Sequence, residues 1–165
     1  MIPLPVVALM IVSDAPSAVE FDCDRAIIDG EPSGSCENKL GQFIAAQMGP
    51  RVNGIPTIAI HYQPEWGTNL YNEAVALLQR RGHSFRILWS HELIEATAGL
   101  PGVPDEARVY VWSFDARTQR IAVRGSRTVG TVLKIRTGEA RGRQTRLPAE
   151  TYCFEKASSR FRRCR

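Results

Sequence analysis

The chain has 165 residues, 44% hydrophobic and 23% charged, with a formal net charge of +4. That length holds one domain, and the composition is that of a globular chain that can bury a core, so disorder is not the expected state except at the two ends. The charge is unevenly placed: residues 1–106 carry six Lys+Arg against thirteen Asp+Glu, and residues 107–165 carry fifteen against four.

The N-terminal stretch 2–12 is apolar and is followed by the small residues Ser13, Ala15, Ser17 and Ala18. This pattern reads as a signal peptide over 1–18, leaving 19–165 as one mature domain. Two features count against it: no Lys or Arg precedes the apolar run, and the run is short. Under the competing reading, 6–12 is a first buried strand. The run is well below the about 20 apolar residues that a membrane-spanning helix needs, so no transmembrane segment is expected.

Four cysteines stand in two local pairs, Cys23 with Cys36 and Cys153 with Cys164. An even number without a C-x-x-C spacing predicts two short-loop disulfides rather than a zinc knuckle or a redox dithiol. Such bonds belong to an oxidising compartment, which makes the expected address periplasmic or secreted.

Ser35 is placed to cap a helix over 36–48, with Leu40, Phe43, Ile44 and Gln47 on one face and Gly49-Pro50 as its stop. Residues 55–62 alternate and predict a strand. A second helix is expected from a cap at Thr68 or Asn69 to Gly82, its apolar stripe built by Leu70, Ala74, Leu77 and Leu78. Residues 84–89 alternate again, and Ser90 would cap a short helix over 90–98. Three β runs follow: 108–114, 119–123 after a turn at Asp115, and 131–136. Residues 137–149 read as an exposed basic loop. The expected fold class is therefore α/β or α+β: a mixed sheet with βαβ crossovers and antiparallel C-terminal strands.

In such a sheet, ligands bind beyond the carboxyl ends of parallel strands. That rule selects His61 with Glu65, and His91 with Glu92 and Glu95. Imidazoles beside carboxylates suit a divalent metal such as zinc, with His61, His91 and Glu95 as ligands, or general acid–base work in a small metal-assisted hydrolase. His91, Glu92 and Glu95 match a helical zinc-protease motif only in part, because Glu95 stands where a second His belongs. In the ordinary alternative, Glu92 sits in a helix first turn and His91 on the surface.

The basic half offers a different function. Arginine presents a planar fork of donors that suits phosphate and carboxylate. Arg141, Arg143 and Arg146 are the expected ligand-binding residues of a non-enzymatic binding or assembly protein that needs no cofactor. Its partner would be an anionic envelope component or an acidic protein. Nucleic acid is the less expected partner, since no recognised nucleic-acid motif is present and an exported chain meets little of it.

Overall fold

The structure is a computed structural model that describes residues 17–30 and 39–165. Residues 1–16 and Cys36 lie outside the described residues, and so do the signal-peptide expectation and the Cys23–Cys36 bond.

The fold is not α/β. It is almost entirely antiparallel β-sheet, without the expected helices or crossovers. The strands are β1 (Ile27–Ile28), β2 (Gln42–Met48), β3 (Thr57–Gln63), β4 (Trp66–Gly67), β5 (Leu70–Arg81), β6 (Ser84–Thr97), β7 (Asp105–Asp115), β8 (Arg120–Lys134), β9 (Glu139–Arg146), β10 (Glu150–Glu155) and β11 (Arg160–Arg163). Their order across the sheet is β11-β10-β8-β7-β6-β5-β3-β2. Among the described residues the one parallel pairing is β1 beside β6, with Ile27 opposite Ser84 and Ile28 opposite Phe85. No helix among them is long and apolar enough to cross a membrane.

The expected helices failed for identifiable reasons. In β5 every residue from Ala74 to Gln79 is buried, because both faces of this strand are covered. Such a run is continuously apolar, and a helical i, i+4 subset can be picked from it at will. Gly82, at a φ of 61°, and His83 then form a two-residue hairpin loop between Arg81 and Ser84, where the sequence reading placed a helix stop. Of the region expected as a helix over 36–48, residues Gln42–Met48 form β2, in which Ile44 is the extra residue of a bulge between Phe43 and Ala45 and stays exposed. The expected helix over 90–98 continues β6, where a second bulge between the Glu73–Ile94 and Ala74–Glu92 pairs breaks the two-residue period. The expected basic loop is mostly β9 on the edge of β8. The expected strands over 55–62, 84–89, 108–114 and 119–123 are present within β3, β6, β7 and β8.

Two cores lie on the two faces of the β3–β5–β6 layer. On one face Ala74, Ala76 and Leu78 meet Ile60, Tyr62, Ile28 and Cys23, so the N-terminal segment covers this side. On the other face Val75 and Leu77 meet Leu88, Trp89, Ile121, Val123 and Phe161. The second core exists because the sheet folds over. β7 pairs with β6 only along Ile94–Thr97, after which the two strands part and the β7–β8–β10–β11 half closes over β6. Trp89 lies between Trp112 and Tyr152, with ring centroids at 5.4 and 5.8 Å.

β8 is the frame of that second half. Residues Arg120–Gly130 pair with β7, while the other edge is shared by β10 over Arg120–Val123 and β9 over Ser126–Lys134. The β10–β11 hairpin is stapled by Cys153–Cys164, which closes a separation of 11 residues. This is the disulfide among the described residues; the expected Cys23–Cys36 bond lies outside them. In the chain-entropy estimate a loop of that size stabilises by about 3 kcal/mol.

Leu77 is fully buried at the centre of the second core. Leu77→Ala should lower the unfolding free energy by about 2–5 kcal/mol, as read from urea titration, because the cavity sits between two packed layers that cannot collapse.

Candidate functional site

The two histidines singled out from the sequence fall in mid-strand, not at parallel strand ends. His61 on β3 and His91 on β6 both stand opposite Val75 of β5, on the two strands that flank it. They share a face but are two strand spacings apart, about 9–10 Å between backbones.

Each imidazole has its own partners. His61 donates from Nδ1 to Glu73 Oε1 at 3.2 Å, and its Nε2 accepts from the Gln47 amide at 3.2 Å. Tyr71 donates to the other oxygen of Glu73 at 3.1 Å. His91 donates from Nδ1 to the Glu92 carbonyl at 2.6 Å, and its Nε2 faces Glu150 Oε2 at 3.3 Å. Neither ring leaves a nitrogen lone pair open for a metal.

The carboxylates expected beside them are elsewhere. Glu65 is exposed, and its amide donates to Asn72 Oδ1 at 3.0 Å. Glu92 points away from His91 by strand alternation, and burial together with neighbouring Glu95 pushes its carboxyl up. Glu95 pairs across the strands with Arg108, 3.9 Å away. No group of three or more His, Cys, Asp or Glu side chains able to hold a metal occurs among the described residues.

What the fold assembles instead is a polar cluster at the mouth of the second core. Glu150, Tyr152 and Phe154 alternate onto the inner face of β10, and Tyr152 and Arg163 are cross-strand partners. Glu150 accepts from the Tyr152 hydroxyl and the Arg163 guanidinium as well as facing His91. His91 also lies within 5.0 Å of the Tyr110 ring and 5.8 Å of Trp89, centroid to centroid. Trp89 Nε1 is buried without a hydrogen-bond partner among the described residues. Glu150, Tyr152 and Arg163 did not emerge from the sequence reading. Their only signal was the two-residue alternation of β10, and His91 is 59 residues away from Glu150. Burial pushes Glu150 up, but Tyr152, Arg163 and His91 outweigh it and hold the carboxyl below its ordinary range. Glu73 is also held low, first by the His61 hydrogen bond, against burial.

The arginines named from the sequence are on a strand. Arg141 stands opposite Thr131, Arg143 opposite Val129 and Arg146 opposite Ser126, and all three are exposed. With Arg120 and Arg124 of β8, they have no carboxylate within ion-pair distance among the described residues. The acids of the second half are already engaged. Glu139 holds Lys134, Glu150 holds Arg163, Glu155 holds Arg162, and Asp115 accepts from the amides of its own turn. Glu106 forks between Arg108 and Arg127 at 2.9 and 2.6 Å.

No protein-family model, curated protein or solved structure matches the chain.

Because the carboxyls of Glu73 and Glu150 are lower in the folded chain than in the unfolded one, their contribution to stability is present above the unfolded carboxylate pKa of about 4.3 and is lost as pH falls through the folded values. The melting temperature should therefore drop on acidification below that range. A Glu73→Gln, Glu150→Gln double variant should show a flatter melting curve against pH, measured from pH 2 to 7.

Proposed function

We propose that this chain is an exported, periplasmic or secreted, non-enzymatic binding or assembly protein. It docks through its arginine-rich C-terminal half onto an anionic envelope component or an acidic partner. The observation that carries this reading is the set of exposed arginines on β8 and β9 that lack acid partners among the described residues. A guanidinium whose charge is not already neutralised is free to meet phosphate or carboxylate, and a ribbon of them raises the local concentration of anions. The arginines are therefore not merely a counterweight to the acidic first half, whose contacts with them run through Asp29, Glu95 and Glu106 to Arg160, Arg108 and Arg127. The Cys153–Cys164 bond supports the oxidising compartment. The metal-assisted hydrolase reading has no comparable support, because His61 and His91 are committed to separate networks.

Replacing Arg141, Arg143 and Arg146 together with Gln should weaken retention by anionic vesicles and by heparin without changing the melting temperature, since exposed charges contribute little to stability. The difference should shrink with salt as the Debye length falls from about 10 Å at 0.1 M to about 3 Å at 1 M. His91→Ala should leave retention unchanged. A wild-type protein that passes every anionic support at low salt would remove this reading.

A further inference from the structure

The outward face of β7, β8 and β9 holds a groove of about 820 Å³ where β9 hands over to β10 on the edge of β8. Strand alternation places six side chains on this face: Val109 and Val111 from β7, Arg124 and Ser126 from β8, Gln144 and Arg146 from β9. Val111 is opposite Arg124, and Ser126 lies between Val109 and Arg146. Arg124 and Arg146 are thus diagonal neighbours, within reach of one anion for side chains of that length. The lining contains no carboxylate, and neither arginine has an acidic partner among the described residues. Beside them Val111 is 64% exposed, unusual for a valine in mid-strand.

We propose that this groove binds one anionic phospholipid molecule, its phosphate between Arg124 and Arg146 and an acyl chain over Val109 and Val111. The inference rests on the docking reading above and names its ligand. Two guanidiniums side by side match the oxygens of a phosphate diester, and Ser126 and Gln144 add neutral hydrogen-bonding groups for a glycerol headgroup. The valines call for an apolar body attached to that anion, which neither a free phosphate nor an acidic glycan supplies. An acidic peptide fits less well. β8 spends its edges on β7, β9 and β10, so the groove floor at Arg124 and Ser126 offers an added strand no backbone ladder. The volume lies within the range of sites that enclose a small amphiphile.

The test is calorimetric titration of the full chain with dihexanoyl-phosphatidylglycerol kept monomeric, with sn-glycerol 3-phosphate as the chain-free arm. The wild type should bind the lipid, and glycerol 3-phosphate at least about tenfold more weakly. Arg124→Gln with Arg146→Gln should cost about tenfold or more, and Val111→Ser several-fold. Arg80→Gln with Arg81→Gln, exposed at the end of β5 and outside the groove lining, should stay within about twofold. Equal losses from the two arginine pairs would overturn the groove and leave a diffuse docking charge. Glycerol 3-phosphate binding as tightly as the lipid would overturn the acyl assignment. A wild type retained by phosphatidylglycerol vesicles that ignores the monomer would overturn the groove alone. A wild type that binds neither would overturn the docking reading with it.

Discussion

The architecture depends on one strand that has to be dry on both sides. From Ala74 to Gln79, β5 alternates Ala74, Ala76 and Leu78 toward one core with Val75 and Leu77 toward the other. A strand of that composition cannot lie on a surface, so each face of its layer needs a cover. One cover is short: the N-terminal segment, with Phe21, Cys23, Ala26 and Ile28, spans the first face and pairs β1 against β6. The other is the whole second half of the chain, which leaves β6 after Val109 and folds back so that Ile121, Val123 and Phe161 meet Leu77 and Leu88.

That fold-back uses only part of the long β7–β8 pair. The stretch of β7 and β8 that pairs Tyr110–Phe114 with Ile121–Gly125 presents its inner face to the core. The remainder, toward Asp105 and Lys134, runs on past the core with β9 as its edge. β9 is exposed along almost its whole length, and its sequence is polar on both parities. A two-faced polar strand is held by its ladder and turns instead of an apolar face. Gly130 and Gly142 sit opposite one another at positive φ, where a Cβ on either would strike the facing backbone. Asp105 binds the amides of Gly99 and Val132 and so ties the β6–β7 loop to β8.

How much of this was legible in the sequence follows from how each strand is buried. Residues 55–62 were read as a strand from their alternation, and 108–114 from a run of Val, Tyr and Trp that favours strands. β5 was misread as a helix because burial on both faces erases alternation. The 90–98 stretch was misread because the bulge at Leu93 puts two consecutive residues out of phase, and 137–149 because Glu139–Arg146 has no apolar face to signal a strand at all. His61 and His91 were picked as the ends of parallel strands, and they fall instead in the middle of antiparallel ones. Their partners could not be picked: Glu150 and Arg163 reach His91 through pairings that depend on the fold-back, and nothing local encodes it. The arginines were read as a surface from composition alone, and that survives a change of fold because it needed no topology.

The fold adds a sidedness to those arginines that composition cannot hold. On the inner parity of the ribbon Glu106 sits between Arg108 and Arg127, so charge near the root of that face is neutralised within the protein. Arg143 and Arg141 follow on the same parity of β9, beyond that fork. On the outer parity no acid intervenes, and Val109, Val111, Arg124, Ser126, Gln144 and Arg146 line one groove. Exposed cations on a twisted edge ribbon serve first to keep it from pairing with other strands. That role needs charge on β9, where the open edge is. Arg124 lies in the interior of the sheet, with β7 on one side and the β9–β10 notch on the other, where it guards no edge. Its position beside exposed valines, with no acidic partner among the described residues, is the feature that edge protection leaves unexplained and that an external anion would complete.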